Sequence, residues 1–252
     1  MNMDTFYQVK QILKDNNNIV FFGGAGVSTA SGIPDFRSAT GLYNRQTGNN
    51  YSPEYMLSHT FFMKHPEEFY RYLRNNLYYP DAKPNNAHKA LVKLEKMGKL
   101  KAIVTQNIDG LHQVAGSGNV IEFHGNSTRF YCMECGKEYP SEYAYETLGV
   151  PKCNECGGIV RFDVVLYEEP IDQKVYSRAI EAIGNADVLI VGGTSLVVYP
   201  AAGLLQYYKK DKLILINQEA TMTDNQGDYI LLGNISKILW DLVQELCQGG
   251  VD

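Results

Sequence analysis

Short apolar runs that alternate with amphipathic segments are the feature that most limits the fold of this 252-residue chain. Each run has the length and β-branched content of one buried strand, and most end at a glycine or a polar residue. Helical patterns such as "NAHKALVKLEKMG" (86–98) lie between them, which is typical of a parallel sheet wrapped by helices. The candidate strands span residues 18–24, 101–107, 119–125, 188–193 and 212–217.

Two C-x2-C pairs, "CMEC" and "CNEC", are separated by seventeen residues, a spacing typical of a zinc ribbon. Glycines follow both pairs and permit the tight turns of such knuckles. Four thiolates fill a tetrahedral coordination sphere, so the ion would be structural rather than catalytic. Disulfides or unrelated thiols are the alternative, which the absence of a signal-peptide pattern disfavours. The predicted zinc ligands are Cys132, Cys135, Cys153 and Cys156.

The two stretches that interrupt the strand–helix alternation predict a smaller inserted lobe. We expect an α/β fold, a Rossmann-like doubly wound parallel sheet whose inserted lobe consists of a helical module and a zinc ribbon. The aromatic-rich segment 38–83 would be the helical insertion, and 126–159 would be the zinc-ribbon insertion. Residues 1–37, 84–125 and 160–252 would form the Rossmann-like domain.

Composition and charge argue against several classes of protein. A net charge of −5 gives no bulk attraction to nucleic acid or anionic lipid. The N-terminal segment lacks the apolar core of a signal peptide and predicts an amphipathic helix with Phe6, Val9 and Leu13 on one stripe. Glycines and Pro200 interrupt the uncharged stretch 188–208, which disfavours a membrane span. We therefore expect a cytoplasmic monomer with no nucleic-acid or membrane partner.

A glycine-rich loop, "FFGGAGVSTASGIPDFR" (21–37), follows the first predicted strand. Its backbone N–H groups could face a phosphate at the N-terminus of the next helix. Thr29 occupies the third glycine position of a dinucleotide fingerprint, so the G-x-G alone fits a tight strand-to-helix turn equally well. Pro34 then breaks the helix and presents Phe36 and Arg37, which suit a ligand with a ring and a charge. Arg37 paired with a surface carboxylate is the alternative.

Seven segments stand in the order found in sirtuins, the NAD-dependent protein deacylases, and the resemblance spans roughly residues 20–217. It implies a bacterial-type catalytic core with little room for a further regulatory domain. It also implies NAD as co-substrate, one structural zinc ion, and acetyl-lysine-containing proteins or peptides as partners. The segments are the glycine loop, "TQNIDGLH" (105–112), "FHG" (123–125), the cysteine quartet, "VVLYEE" (164–169), "GTSLVVYPAA" (193–202) and "IN" (216–217).

The implied activity is NAD-dependent deacetylation of protein lysine, with acyl transfer to ADP-ribose and release of nicotinamide and O-acetyl-ADP-ribose. By resemblance, His124 is the general base, a role that an imidazole can fill near neutral pH. Asn107 and Asp109 would contact the nicotinamide carboxamide and nearby water, although Asp109 could also cap a helix. The alternatives are protein ADP-ribosyl transfer or NAD hydrolysis at the same site, and a non-enzymatic zinc-ribbon adaptor that binds NAD as a signal.

The resemblance also implies which residues hold NAD. Phe36 would cover the reacting sugar and exclude water, and Arg37 with the glycine loop would hold the pyrophosphate. The "GTS" segment would hold the adenosine half, or would be merely another strand-to-helix turn. The predicted cofactor-binding residues are Gly24, Ala25, Gly26, Thr29, Phe36, Arg37, Gln106, Asn107, Ile108, Asp109, His124, Gly193, Thr194, Ser195, Asn217 and Asn234.

The extended segment "VVLYEE" is predicted to pair edge-on with a substrate backbone, and the alternative is an ordinary sheet edge. The predicted substrate-binding residues are Val165, Leu166 and Tyr167. Phe162 stands where sirtuins usually have proline, and Glu168 stands where they usually have glycine. The additional carboxylate leads us to expect a preference for basic residues beside the acetyl-lysine.

The sequence of the helical insertion indicates in part which acyl groups are removed from lysine. Sirtuins that remove succinyl or malonyl groups carry a Tyr-x-x-Arg pair there. Tyr70 is present in this chain, but the matching position is Leu73. Arg74 comes one residue late, which turns it about 100° around a helix. An acidic acyl group would lack a cationic partner, so we expect neutral acyl groups, acetyl first.

Overall fold

A computed structural model of the protein describes residues 2–36, 38, 41–44, 51–221 and 224–248. It confirms the predicted α/β class. The larger of its two sheets has six parallel strands in the order β3-β2-β1-β7-β8-β9. These strands are β1 (Ile19–Gly23), β2 (Leu100–Thr105), β3 (Val120–Glu122), β7 (Val188–Gly192), β8 (Leu213–Asn217) and β9 (Tyr229–Leu232).

The register of this sheet brings the carboxyl ends of its central strands to one level. Gly23 of β1 pairs with Thr105 of β2 on one side and with Gly192 of β7 on the other. Gly192 in turn pairs with Ile216 near the end of β8. Ligands of open parallel sheets bind beyond such ends, so this edge is where a crevice is expected.

Helices cover both faces of the large sheet, which explains why its central strands are apolar throughout. One buried cluster lies between the sheet and α1, α5 and α9, and it includes the predicted stripe Phe6, Val9 and Leu13. A second cluster lies between the opposite face and α8 together with a 3₁₀ segment. The helical segments on these faces are α1 (Met3–Asp15), α5 (Asn86–Lys96), α6 (Leu111–Ala115), α8 (Gln173–Asn185), α9 (Ile235–Gln248) and the 3₁₀ segment Ala201–Tyr207.

The smaller lobe is built on a three-stranded antiparallel sheet in the order β5-β4-β6. Its core is largely aromatic, and Phe162 lies 5.7 Å from Phe69 and 6.1 Å from Phe130 between ring centroids. A phenylalanine is therefore accommodated at position 162 by packing within the lobe. The elements of the lobe are α2 (Pro53–Met56), α3 (His59–Lys64), α4 (Pro66–Asn76), β4 (Gly125–Cys132), β5 (Glu138–Pro140), α7 (Ser141–Glu146) and β6 (Val160–Val164).

Two features of the fold differ from the pattern read along the chain. Strand β9 was not predicted, because it has four residues and is half-exposed rather than a continuous buried run. Strand β6 pairs with β4 in the smaller sheet, although residues from 160 onward were placed in the Rossmann-like domain. The domain division itself remains a prediction. Within the described residues, no helix is long and apolar enough to cross a membrane.

Two histidines lie against each other in the core, His88 on α5 and His112 on α6, with ring centroids 4.8 Å apart. Both are buried, and three of their ring nitrogens lack a hydrogen-bond partner in the part of the chain that the structure describes. Burial lowers the pKa of His88 to about 4 and the pKa of His112 to about 3. Both rings are therefore neutral in the folded protein at physiological pH.

We expect the free energy of unfolding to fall as the pH drops below about 6.5. The two histidines then bind protons in the unfolded chain but stay neutral in the folded core. Each histidine should contribute a slope approaching about 1.4 kcal/mol per pH unit between its folded pKa and about pH 6.5. Urea unfolding between about pH 7.5 and 5 measures this slope. Replacing His112 by leucine should lower the slope by the contribution of one histidine, and an unchanged slope in that variant would contradict this account.

Candidate functional site

The glycine loop after β1 is held against the end of β7 by backbone hydrogen bonds. The amide of Gly24 donates to the carbonyl of Gly192 at 3.2 Å, and that of Gly26 donates to Gly193 at 2.8 Å. These two amides of the loop therefore bind the protein itself, and the predicted phosphate contact by the loop stays a prediction. The loop continues as two 3₁₀ turns, at 25–27 and 29–31, rather than as the predicted helix.

Close backbone approach is the reason that glycines are required here. Gly193 adopts a left-handed φ of +61°, and a Cβ built on it would lie 2.5 Å from the amide nitrogen of Val27. A Cβ on Gly24 would lie 2.7 Å from the Cβ of Thr194. Side chains at these positions would therefore push the glycine loop away from β7 and its following turn.

A hydrogen-bonded cluster links the glycine loop to the end of β2. The hydroxyl of Ser28 donates to Asp109 Oδ2 at 2.6 Å, and the amide group of Asn107 donates to the same hydroxyl at 3.1 Å. Burial raises the pKa of Asp109, while its hydrogen bonds from Ser28 and Leu111 oppose that shift. Asp109 Oδ1 also accepts from the amide of Leu111, the first residue of α6, so its carboxylate holds the turn before the helix as well as the cluster.

Sequence reasoning missed Ser28, which is buried and lies 81 residues from Asp109 along the chain. The only available signal was its position between two predicted contacts, Gly26 and Thr29. Thr29 itself donates its hydroxyl to the carbonyl of Gly26 and so holds the turn.

His124 lies between the two lobes of the structure, just before β4. Its Nδ1 is 3.1 Å from the carbonyl of Gln106, and since a carbonyl only accepts, Nδ1 carries the proton. The other ring nitrogen, Nε2, therefore keeps its lone pair. Burial lowers the pKa of His124, and the bond to Gln106 opposes this. The ring is thus neutral and able to accept a proton at physiological pH.

A second polar chain runs along the strand ends on the other side of β1. Gln106 donates its side-chain amide to Thr194 Oγ1 at 3.1 Å, and the backbone amide of Thr194 donates to Asn217 Oδ1 at 3.0 Å. Asn217 is buried, yet its Nδ2 donor has no partner among the residues that are described. An unpaired buried donor at the carboxyl end of a parallel sheet fits the ribose or phosphate of a dinucleotide.

Two of the predicted cofactor residues take no part in the hydrogen bonds of this polar chain. Ser195 is exposed directly after Thr194. Asn234 accepts the backbone amide of Lys237 and so caps the start of α9. Arg37 lies outside the described residues, so its predicted contact with pyrophosphate stays a prediction.

An aromatic group lies where the glycine loop meets the smaller lobe. Phe36 packs edge to face on Tyr43, with ring centroids 5.4 Å apart. The hydroxyl of Tyr43 lies 2.7 Å from that of Tyr167. Phe36, Ile108 and Tyr167 also pack against the same buried cluster of the smaller lobe. The predicted cover of the cofactor and the predicted substrate segment are therefore in one contact network.

The predicted substrate segment 165–167 follows β6, and backbone hydrogen bonds hold both of its ends. The amide of Val165 donates to the carbonyl of His124 at 3.0 Å. The amide of Tyr167 donates to Leu57, and the carbonyl of Tyr167 accepts from His59. The amide of Leu166 donates to a side-chain oxygen of Glu169. These three amides are occupied within the protein, so a peptide paired here would use other backbone groups of the segment and its side chains.

The cysteine quartet forms a compact cluster at one end of the smaller lobe. The four sulfur atoms lie within 4.8 Å of one another, which fits one tetrahedral zinc ion with Zn–S bonds of about 2.3 Å. Two of them come from the knuckle that begins at the last residue of β4, and two come from the knuckle before β6. The hydroxyl of Tyr139 donates to Cys153 Sγ at 3.1 Å and supports that ligand from outside the sphere.

Fold and site together define a Rossmann-like α/β protein with polar side chains at the carboxyl ends of its parallel strands and a smaller lobe that carries a four-cysteine cluster. The model of the Sir2 family matches residues 24–200. The NAD-dependent protein deacetylase of Clostridium perfringens is 57% identical over 241 residues, covering 95% of this chain and 99% of that protein. The chain belongs to the Sir2 family, which confirms the resemblance to sirtuins.

Solved Sir2 structures agree with this assignment. A Sir2 homolog–NAD complex is 35% identical with a TM-score of 0.85, and it covers 96% of this chain and 94% of its own. A Sir2 structure with a deacetylated p53 peptide and 3′-O-acetyl ADP-ribose is 36% identical with a TM-score of 0.87, covering 100% of both chains. The similarity therefore extends over both lobes.

Proposed function

We propose that this chain is an NAD-dependent protein lysine deacetylase that transfers the acetyl group to ADP-ribose and releases nicotinamide. The observation that carries the proposal is the setting of His124. Its ring is fixed by the Gln106 carbonyl on the nucleotide side, and its own carbonyl holds Val165 on the substrate side. One neutral imidazole thus stands where a cofactor crevice meets an extended segment.

NAD, when bound, would supply an electrophilic ribose carbon and a nicotinamide leaving group. The unpaired Nδ2 of Asn217 supports a place for the adenosine half, and the Ser28–Asp109–Asn107 cluster supports a polar place for nicotinamide. Phe36 and Tyr43 would exclude water from the reacting face, since early hydrolysis would waste the co-substrate. His124 Nε2 would take the proton from a ribose hydroxyl.

The remaining predicted contacts with NAD and with the peptide belong to the same proposal. In this proposal NAD also contacts Gly24, Ala25, Gly26, Thr29, Ile108 and Gly193. The acetyl-lysine peptide would bind along Val165, Leu166 and Tyr167. We further propose a cytoplasmic monomer that acts on acetylated proteins, which accords with the acidic net charge of −5.

Replacing His124 by alanine should lower the rate of deacetylation about a hundredfold or more, because general-base assistance of that size would be lost. Mass spectrometry of the wild-type products should show O-acetyl-ADP-ribose. The variant must keep its zinc content and its melting temperature for the comparison to count. Modified protein or free ADP-ribose as the main product would instead support ADP-ribosyl transfer or NAD hydrolysis.

The pH profile checks the same residue independently. Because burial lowers the pKa of His124, the ring stays neutral to a more acidic pH than a free imidazole would. The midpoint of the acid limb in the pH profile of kcat/KM should therefore lie below about pH 6.5. An acid limb well above that value would contradict His124 as the base.

Contacts within the helical insertion support a preference for substrates with a neutral acyl group. The hydroxyl of Tyr70 is buried and donates to the carbonyl of Val160 at 2.5 Å. The guanidinium of Arg74 donates to the carbonyls of Tyr145 and Gly149. Both groups are thus committed to the protein backbone, and Leu73 between them is buried and apolar.

We expect kcat/KM for an acetyl-lysine peptide to exceed that for the matching succinyl-lysine peptide by about tenfold or more, because the buried succinyl carboxylate would be unpaired. Assays with both peptides at equal NAD concentration measure the ratio. The unmodified peptide provides the background rate. Faster removal of succinyl than of acetyl would overturn this expectation.

A further inference from the structure

Glu168 is the residue directly after the predicted substrate segment, and its backbone is unusual. Its φ is +75°, a left-handed value that residues with a side chain rarely adopt. The conformation is supported by its carboxylate, since Oε2 accepts the backbone amide of Thr60 at 2.9 Å. The side chain is therefore anchored at a fixed place beside the segment.

A cavity of about 500 Å³ opens at this place. Its lining includes Val165 of the substrate segment and continues past the end of that segment to Glu168. Side chains on one face of an extended peptide are about 7 Å apart, so a peptide that brings acetyl-lysine to Val165 would place a neighbouring side chain at this opening. The cavity is large enough to admit one long side chain.

Two of the three carboxylates that face the cavity have an arginine partner. Arg161 forms two hydrogen bonds with Glu169, at 2.8 and 2.9 Å, and His59 also contacts Glu169. Asp163 pairs with Arg129 at 2.8 Å, and Arg129 is shared with Glu122 outside the lining. Glu168 instead accepts from a neutral amide and has no arginine partner among the described residues.

Glu168 is also ionised at physiological pH. Hydrogen bonds from Thr60 lower its pKa, with smaller contributions from His59 and Lys64. Lys64, on the same helix as Thr60, is the cation that an incoming residue would compete with, although it is not part of the cavity lining.

We propose that this cavity is a subsite for a lysine or arginine side chain adjacent to the acetyl-lysine, with Glu168 as the residue that selects for the positive charge. The inference rests on the proposed deacetylase function and specifies its substrates: acetylated lysines within basic sequence. The ion pair forms at an exposed carboxylate, so the selectivity is modest and depends on salt.

The test compares acetyl-lysine peptides that differ only by lysine or glutamine at each of the positions flanking the acetylated residue. Wild-type protein should show kcat/KM about two- to fivefold higher for lysine at one or more of these positions. Glu168→Gln retains the acceptor for Thr60 but removes the charge, and it should abolish the preference. Lys64→Gln removes the competing cation and should strengthen it.

Two further variants separate charge from folding. Glu168→Gly relieves the left-handed backbone and should lose the preference without loss of stability. Glu181→Gln removes an exposed carboxylate that lines a different cavity, beside Lys101 and Arg178, and should leave the preference unchanged. Raising the ionic strength should shrink the wild-type preference.

Equal turnover of lysine- and glutamine-flanked peptides by the wild type would overturn the subsite and leave the proposed function standing. So would a preference that survives intact in Glu168→Gln. Failure to deacetylate any of the peptides would instead overturn the proposed function, and the subsite with it.

Discussion

The backbone contact between the glycine loop and the turn after β7 is the constraint on which the site depends. Gly26 donates to Gly193, and neither residue has room for a side chain. The contact fixes the loop that follows β1 against the turn that follows β7. Because the loop is fixed, Ser28 can reach Asp109 and Asn107, and the polar cluster at the end of β2 is completed.

The second determinant is the way in which the two lobes share residues. His124 stands between the end of β3 in the large sheet and the start of β4 in the small one. Its carbonyl holds Val165, while its ring is held by Gln106. The hydroxyls of Tyr43 and Tyr167 also contact each other, which connects the aromatic group around Phe36 to the predicted substrate segment. The predicted substrate segment and the predicted cofactor residues are thus joined by hydrogen bonds through His124.

Much of the fold could be predicted because it follows from local patterns. Buried strands, the stripe of α1 and the left-handed Gly98 after α5 all follow from periodicity and backbone preference. The cysteine spacing predicts the zinc site because both knuckles are local and need only meet.

What could not be predicted depends on contacts between distant segments. Nothing near Ser28 indicates that its partner lies 81 residues away. The glycine pattern also does not reveal that the amides of Gly24 and Gly26 bond to the carbonyls of Gly192 and Gly193. The half-exposed strand β9 has too short an apolar run to be recognised, and only its pairing with β8 defines it.

The central claim is that one site couples cleavage of NAD to an acetylated lysine. The most direct measurement is nicotinamide release from NAD by the zinc-loaded protein, with an acetylated peptide, with the unacetylated peptide and with no peptide. We predict release only with the acetylated peptide, in equal amount to the deacetylated product. Release at the same rate without peptide, or no release under any of these conditions, would contradict the account.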